Sequence, residues 1–300
     1  MTVGTFDGVH RGHQAVVADT IRRARESSRA SVVVTFEPHP LTVLRPDMAP
    51  ARLTTAAERA ARLAETGLDY LVVLEFDRAL AALDPVAFVE QVLLGRCQMA
   101  ELVVGHDHAF GRGRAGDLEL LQSLGRARRF TVSALDPVVD ETGAVVSSSA
   151  IREAVAAGEL AAAARGLGHP YRVCGEVERG EQRGRTLGVP TANVDPPPEK
   201  LLPPDGVYAV RVEWGTGVSG GMMNQGGRPT VEDGGRRMLE AHLFDFDQNL
   251  YGRTIQIEWV AWLRATRQFA SLAELRAQLD RDAATARSVL GSGIGTSNVV

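Results

Sequence analysis

The 300-residue sequence predicts an α/β protein in two parts: a parallel sheet covered by helices, then a small antiparallel barrel with a closing helix. Two observations carry this. In the first half, short apolar runs at 32–36, 70–76, 101–105 and 130–135 alternate with helical patterns, as repeated βαβ units do. In the second half, runs at 171–177, 207–213, 240–246 and 254–259 are separated by loops rich in glycine and proline, the texture of a small barrel.

The elements follow in order. The strand feeding Gly4 has only Met1, Thr2 and Val3; either the start is late or this strand is shorter than a central strand usually is. After His13, Val17, Ile21 and Ala24 recur at helix spacing, with Arg22, Arg23 and Arg25 off that face. Thr55 and Glu58 form a capping box for a second helix that Gly67 ends. Asp84 and Pro85 open a third, carrying Phe88, Val89 and Val92 inward. Residues 147–166 read as one helix capped by Ser147, Ser148 and Ser149 and stopped by Gly166, Gly168 and Pro170. The domain boundary is placed there, giving 1–167 and 168–290. The closing helix starts at a capping box of Ser271 and Glu274, with Leu272, Leu275 and Leu279 as its buried stripe. The small, polar tail 291–300 is expected to be disordered.

Hydrophobic content of 44% and charged content of 23% are those of a globular protein, and a net charge of −4 argues against a surface for polyanions. Neither nucleic acid nor membrane is expected as a partner: no apolar stretch reaches the length of a span, and no leader precedes Gly4. Cys97 and Cys174 have no metal-ligand spacing and read as reduced thiols of a cytoplasmic protein. A homo-oligomer is left open.

Chemistry concentrates in a few segments. Residues 4–14, GTFDGVHRGHQ, place two histidines three apart at a helix start, within a run broken by Gly4, Gly8 and Gly12. Unpaired amides at a helix N-terminus attract anions, and glycines let a phosphate approach the backbone. By themselves the histidines are as readily surface groups of a glycine-rich turn. In residues 184–194, GRTLGVPTANV, Thr191 and Asn193 lie two apart and share a side of an extended chain. Their neutral oxygens suit Mg²⁺ held together with nucleotide phosphates, which Gly184 and Gly188 would let near the backbone. In residues 239–252, alternation sets Leu239, Ala241 and Leu243 on one face and Glu240, His242 and Phe244 on the other. Glu240 is then either a solvated strand carboxylate or a general base.

The full front run, with Gly4, Phe6, Asp7, Gly8, His10, Gly12 and His13, resembles the nucleotidylyltransferase superfamily and, in its longer form, the FAD synthetase branch. TFEPHP at 35–40, GHDHAFG at 105–111 and SSSAIR at 147–152 occur in that branch's order. His108, where an aromatic is usual, and Ser149, where a threonine is usual, depart from the pattern. The resemblance implies a Rossmann-like domain. In it His10, His13 and Arg152 are catalytic. Gly4, Phe6, Asp7, Gly8, Gly12, Ser148 and Ser149 lie at ATP, and Phe36, Pro38, Asp107 and Phe110 at the flavin. Residues 169–290 resemble riboflavin kinase through GRTLG, PTAN, GVY, NQGGRPT and EAH. That implies a six-stranded barrel with Thr191 and Asn193 at Mg–ATP, Gly184 and Gly188 at ATP, Asn224 and Arg228 at the flavin, and Glu240 as base. Gln225 departs from a mostly apolar position. Together the halves resemble bacterial bifunctional riboflavin kinase/FAD synthetase. The implied reactions are ATP-dependent conversion of riboflavin to FMN and then of FMN to FAD, with Mg²⁺ accompanying ATP and no permanently bound cofactor. Transfer of another nucleotide, a kinase with an impaired adenylyltransferase, and a non-catalytic flavin-binding protein are the other readings.

Overall fold

The computed structural model describes residues 1–105, 111, 116–179, 189–215, 217–227 and 237–292. The chain divides into two compact units, Met1–Ala150 and Ile151–Val300.

The first unit runs β1 (Thr2–Val3), α1 (Arg11–Glu26), β2 (Val32–Glu37), α2 (Pro40–Leu44), α3 (Ala56–Ala64), β3 (Tyr70–Glu75), α4 (Arg78–Ala82), α5 (Pro85–Ala87, continued by a π-helical stretch, Phe88–Arg96), β4 (Glu101–Gly105), α6 (Leu118–Arg128) and β5 (Thr131–Leu135). β1, β2 and β3 pair in parallel, as do β4 and β5. The Val103 amide donates to the Met1 carbonyl at 2.8 Å, and the Met1 amine to the Glu101 carbonyl at 3.0 Å. These bonds set β4 beside residue 1, so the strand order is 3-2-1-4-5. In a doubly wound sheet of that order the winding reverses between β1 and β4, and ligands bind at the strand ends there. Successive residues of β2 face opposite sides. Val33 packs with Val17 and Ile21 of α1 and Leu63 of α3, while Val34 packs with Phe88, Val92 and Leu93 of α5 and Leu121 of α6. Helices therefore cover both faces of the sheet, which keeps a two-residue β1 dry: Thr2 and Val3 are 1% and 5% exposed.

The helix expected over 147–166 is two helices, α7 (Ser148–Ala156) and α8 (Leu160–Leu167). Gly158, at φ +77°, makes the left-handed turn between them. Gly166 lies inside α8, and Gly168, at φ +80°, caps it.

The second unit's strands are β6 (Arg172–Glu178), β7 (Ala192–Val194), β8 (Gly206–Trp214), β9 (Gly217–Gly227), β10 (Arg237–Leu243) and β11 (Thr254–Arg264). They form a closed antiparallel barrel in the order β10-β7-β6-β11-β8-β9, with Val173, Val194, Val210, Met223, Leu239 and Ile257 fully buried. β10 follows the expected alternation as far as Leu243. Phe244, expected on the other face, is 7% exposed because the C-terminal helix α9 (Leu272–Ser292) covers it. The buried stripe of α9 also differs. Leu272 is 70% exposed, whereas Leu279, Ala286 and Leu290 pack on Ala209 and Met222 of the barrel. Arg264 of β11 clamps Asp282 of α9 through bonds of 2.7–3.0 Å. α9 carries Gly291 and Ser292, and the remainder of the tail lies outside the described residues.

Candidate active sites

In the first unit, the chain leaves β1 at Gly4 and enters α1 at Arg11 through a tight loop. Phe6, Gly8 and Val9 have φ of +49°, +83° and +41°. A β-branched valine in that region is strained, a condition common where a ligand loop is held in one shape. His10 caps α1: its Nδ1 accepts from the His13 amide at 3.4 Å. In the neutral ring, accepting at Nδ1 puts the proton on Nε2. The rings of His10 and His13 stack with centroids 3.6 Å apart, and Phe6 packs against His13 at 5.1 Å. Gly12 makes room for this, because a Cβ there would lie 3.1 Å from the His10 ring. A Cβ on Gly4 would lie 3.3 Å from the Phe6 ring.

Three of the motif residues hold the loop itself. Phe6 is 2% exposed, in a core cluster with Val17 and Leu63. Asp7, 1% exposed, accepts from the amides of Leu53 and Thr54 at 3.1 and 2.9 Å. The Gly8 amide donates to the Thr54 hydroxyl at 2.9 Å. Ser148, at the start of α7, donates to the Asp7 carbonyl at 3.0 Å and so joins the same loop, while Ser147 caps the helix and Ser149 is exposed. Arg152 lies one turn along α7 and is half-buried.

At the end of β2, Phe36 meets Phe76 edge-on at 5.5 Å, the Glu37–Pro38 peptide is cis, and Pro38 is exposed. His39 is 7% exposed and caps α2 through Nδ1. Thr35 ties this strand end to the first loop, its hydroxyl donating to the Thr5 carbonyl at 3.2 Å.

In the barrel, β10 lies between β7 and β9, and the register sets Glu240 opposite Asn193 on one side and Asn224 on the other. Residues directly opposite share a face, so these three form one row across three strands. β6 extends the row by placing Glu178 opposite Asn193. Thr191 stands immediately before β7, and the Asn193 amide nitrogen donates to the Thr191 carbonyl at 3.4 Å. Asn193 is 7% exposed; Glu240 is half-buried and Asn224 exposed. His242, two residues past Glu240 on the same face, has Nδ1 2.8 Å from the Pro190 carbonyl. It thereby tethers the segment that leads into Thr191, a role no sequence spacing indicated. Asp107, His108, Phe110, Gly184, Gly188 and Arg228 lie outside the described residues.

Two family profiles divide the chain as these sites do: FAD synthetase matches residues 1–150 and riboflavin kinase residues 167–290. A bifunctional riboflavin kinase/FMN adenylyltransferase from Escherichia coli K12 is 43% identical, covering 97% of this chain and 92% of its own. The chain belongs to the bifunctional riboflavin kinase/FMN adenylyltransferase family. The Bacillus subtilis member is 36% identical over 94% of this chain and 89% of its own. A solved Streptococcus pneumoniae structure, described as that of a macrolide-efflux protein, superposes with a TM-score of 0.85 at 32% identity, covering 95% of this chain and 93% of its own. Among the described residues, no helix is long and apolar enough to cross a membrane. The first unit is thus the adenylyltransferase unit and the barrel the kinase unit of this family.

Proposed function

We propose that the two sites carry out consecutive ATP-dependent reactions on one flavin. In the kinase unit the ribityl hydroxyl of riboflavin attacks the γ-phosphorus of ATP, giving FMN and ADP. Glu240 takes the hydroxyl proton, and Asn224 and Arg228 hold the flavin. The donor set fits magnesium: the Thr191 hydroxyl and the Asn193 amide oxygen are neutral hard ligands, and Asn193 is oriented by its bond to the Thr191 carbonyl. When bound with ATP, the ion would neutralise charge developing on the phosphates. Gly184 and Gly188 let those phosphates approach the backbone.

In the adenylyltransferase unit an FMN phosphate oxygen attacks the α-phosphorus of a second ATP, giving FAD and pyrophosphate. That oxygen is already a nucleophile, so the protein's task is placement and charge stabilisation. His10 and His13 donate to the ATP phosphates from the N-terminus of α1, where Gly4, Gly8 and Gly12 shape the loop. Ser148, Ser149 and Arg152 supply a second clamp, and Phe36, Pro38, Asp107 and Phe110 receive the flavin. No permanently bound cofactor is required, and the protein acts in the cytoplasm. The boundary between the two activities is proposed near Gly168, a reading supported by a riboflavin kinase profile that starts at residue 167.

The observation that carries this reading is the cross-strand row of Asn193, Glu240 and Asn224 beside Thr191. Mere flavin retention needs neither a base nor a metal ligand. The test is a time course with riboflavin, ATP and Mg²⁺ in which the flavins are separated. Wild-type chain is expected to form FMN and then FAD. Glu240→Gln should stop FMN formation yet still convert added FMN to FAD. His13→Ala should accumulate FMN. Loss of both activities in either folded variant would contradict the division of labour.

A further inference from the structure

We infer that Arg59, with the segment 52–59 that leads to it, is a positioning element for adenylyl transfer: it holds the loop carrying His10 and His13 at a set distance from the loop after β2. This rests on the assignment of adenylyl transfer to the first unit.

Arg59 and Arg52 are 1% and 6% exposed. Arg59 Nη2 donates to the Phe36 carbonyl at 3.1 Å and to Glu37 Oε2 at 2.8 Å, and Arg52 Nη2 reaches Glu37 Oε1 at 3.1 Å. Two buried guanidiniums thus grip the end of β2 immediately before Pro38. The residues between them grip the other loop. The amides of Leu53 and Thr54 hold the Asp7 carboxylate, and the Thr54 hydroxyl both donates to Asp7 Oδ1 at 3.1 Å and accepts from the Gly8 amide at 2.9 Å. Thr55 and Glu58 then close a capping box at the start of α3. The box fixes how Arg59 on the helix stands relative to Thr54 before it.

One stretch of eight residues therefore touches both loops, each just upstream of a residue assigned to a substrate. The β1–β2 ladder ends just short of this: its register pairs stop at Val3 and Val34. Past them the strands are joined by the Gly4 amide to the Val34 carbonyl at 3.0 Å and the Thr35 hydroxyl to the Thr5 carbonyl at 3.2 Å, neither of which reaches Asp7 or Glu37. In-line transfer needs the attacking oxygen about 3–3.5 Å from phosphorus, and a misplacement of about 1 Å costs about a hundredfold. Buried ion pairs add little net stability over apolar packing. What this cluster supplies instead is a fixed relation between two loops of different origin.

The test uses full-length Arg59→Lys and Thr54→Val. Lysine keeps the charge, but its flexible, strongly hydrated ammonium does not reproduce the rigid, flat guanidinium whose Nη2 meets both the Phe36 carbonyl and Glu37. Valine keeps the shape of threonine and removes the hydroxyl. The readouts are kcat and KM for FAD formation from FMN, normalised to FMN-binding sites counted by flavin fluorescence, with riboflavin phosphorylation as the internal control of folding. In both variants kcat per flavin site is expected to fall at least about tenfold while KM for ATP and for FMN changes by less than about threefold. Thr54→Ser is expected to restore the rate. A kcat per site equal to wild type in both variants overturns the proposal. So does a fall that merely follows the loss of FMN-binding sites. Wild-type chain that makes no FAD from FMN in the same assay would overturn the assignment of the reaction, and the proposal with it.

Discussion

Asp7 and Gln225 were both conspicuous as residues, and burial decides what each does. Asp7 stands among the motif residues, yet its carboxylate is taken up by amides of Leu53 and Thr54. No local pattern announces a partner so distant in sequence. Gln225, which departs from an apolar position, is fully buried and satisfies three groups. Its Nε2 donates to the Pro203 and Pro204 carbonyls at 2.6 and 3.2 Å, and its Oε1 accepts from the Trp259 indole at 3.1 Å. Tyr208 belongs to the same network, its hydroxyl donating to the Pro204 carbonyl at 2.5 Å. Burial, helped by Asp205 and opposed by Arg237, pushes the Tyr208 phenol up to about 12 from 10.0. The neutral phenol is therefore the form the fold prefers. Stability from this group is complete below pH 10 and is lost as pH rises from 10 towards about 12, where the unfolded chain ionises and the folded one does not. Urea midpoints at pH 9 and 11 test this. Wild type should lose more stability across that interval than Tyr208→Phe, and equal losses would remove Tyr208 as the source.

At the level of elements, the α/β half was legible because its apolar runs are short, regular and separated by cap signals. Thr55 with Glu58 and Asp84 with Pro85 start helices where the sequence places them. β9 was not legible. Five of its eleven residues are glycine, so it has no alternation to read. Three of them, Gly217, Gly220 and Gly221, make room for neighbours: a Cβ on Gly221 would lie 2.5 Å from the His242 carbonyl oxygen. β9 thus comes close to β10, the strand that carries Glu240. Gly221→Ala is expected to displace β10 and to cost about 1–3 kcal/mol from overpacking. In activity terms, riboflavin phosphorylation should fall while FMN-to-FAD conversion persists. The closing helix teaches a related lesson. Leucine periodicity pointed to Leu272, which is 70% exposed, and the small Ala286 packs against Ala209 and Met222 of the barrel instead.

For the whole molecule, the residues proposed for the two reactions fall in two compact units, with Arg152 just past the division. Each should work without the chemistry of the other. A mixture of Glu240→Gln and His13→Ala proteins should make FAD from riboflavin, with FMN from one chain consumed by the other, although neither variant does so alone. Flavin separation over time would show it, and a mixture that stops at FMN or riboflavin would contradict it. By itself the sequence determined the two-part architecture, the order of elements in the first unit and the positions of the histidine and P-T-A-N motifs, because these are encoded locally by periodicity, caps and glycine. Only the tertiary structure decided that β4 lies beside residue 1, that Glu240 stands between Asn193 and Asn224, and that residues 52–59 join two loops. Those are pairings between segments far apart along the chain, set by strand register and by where buried charges find partners, and neither leaves a local signature.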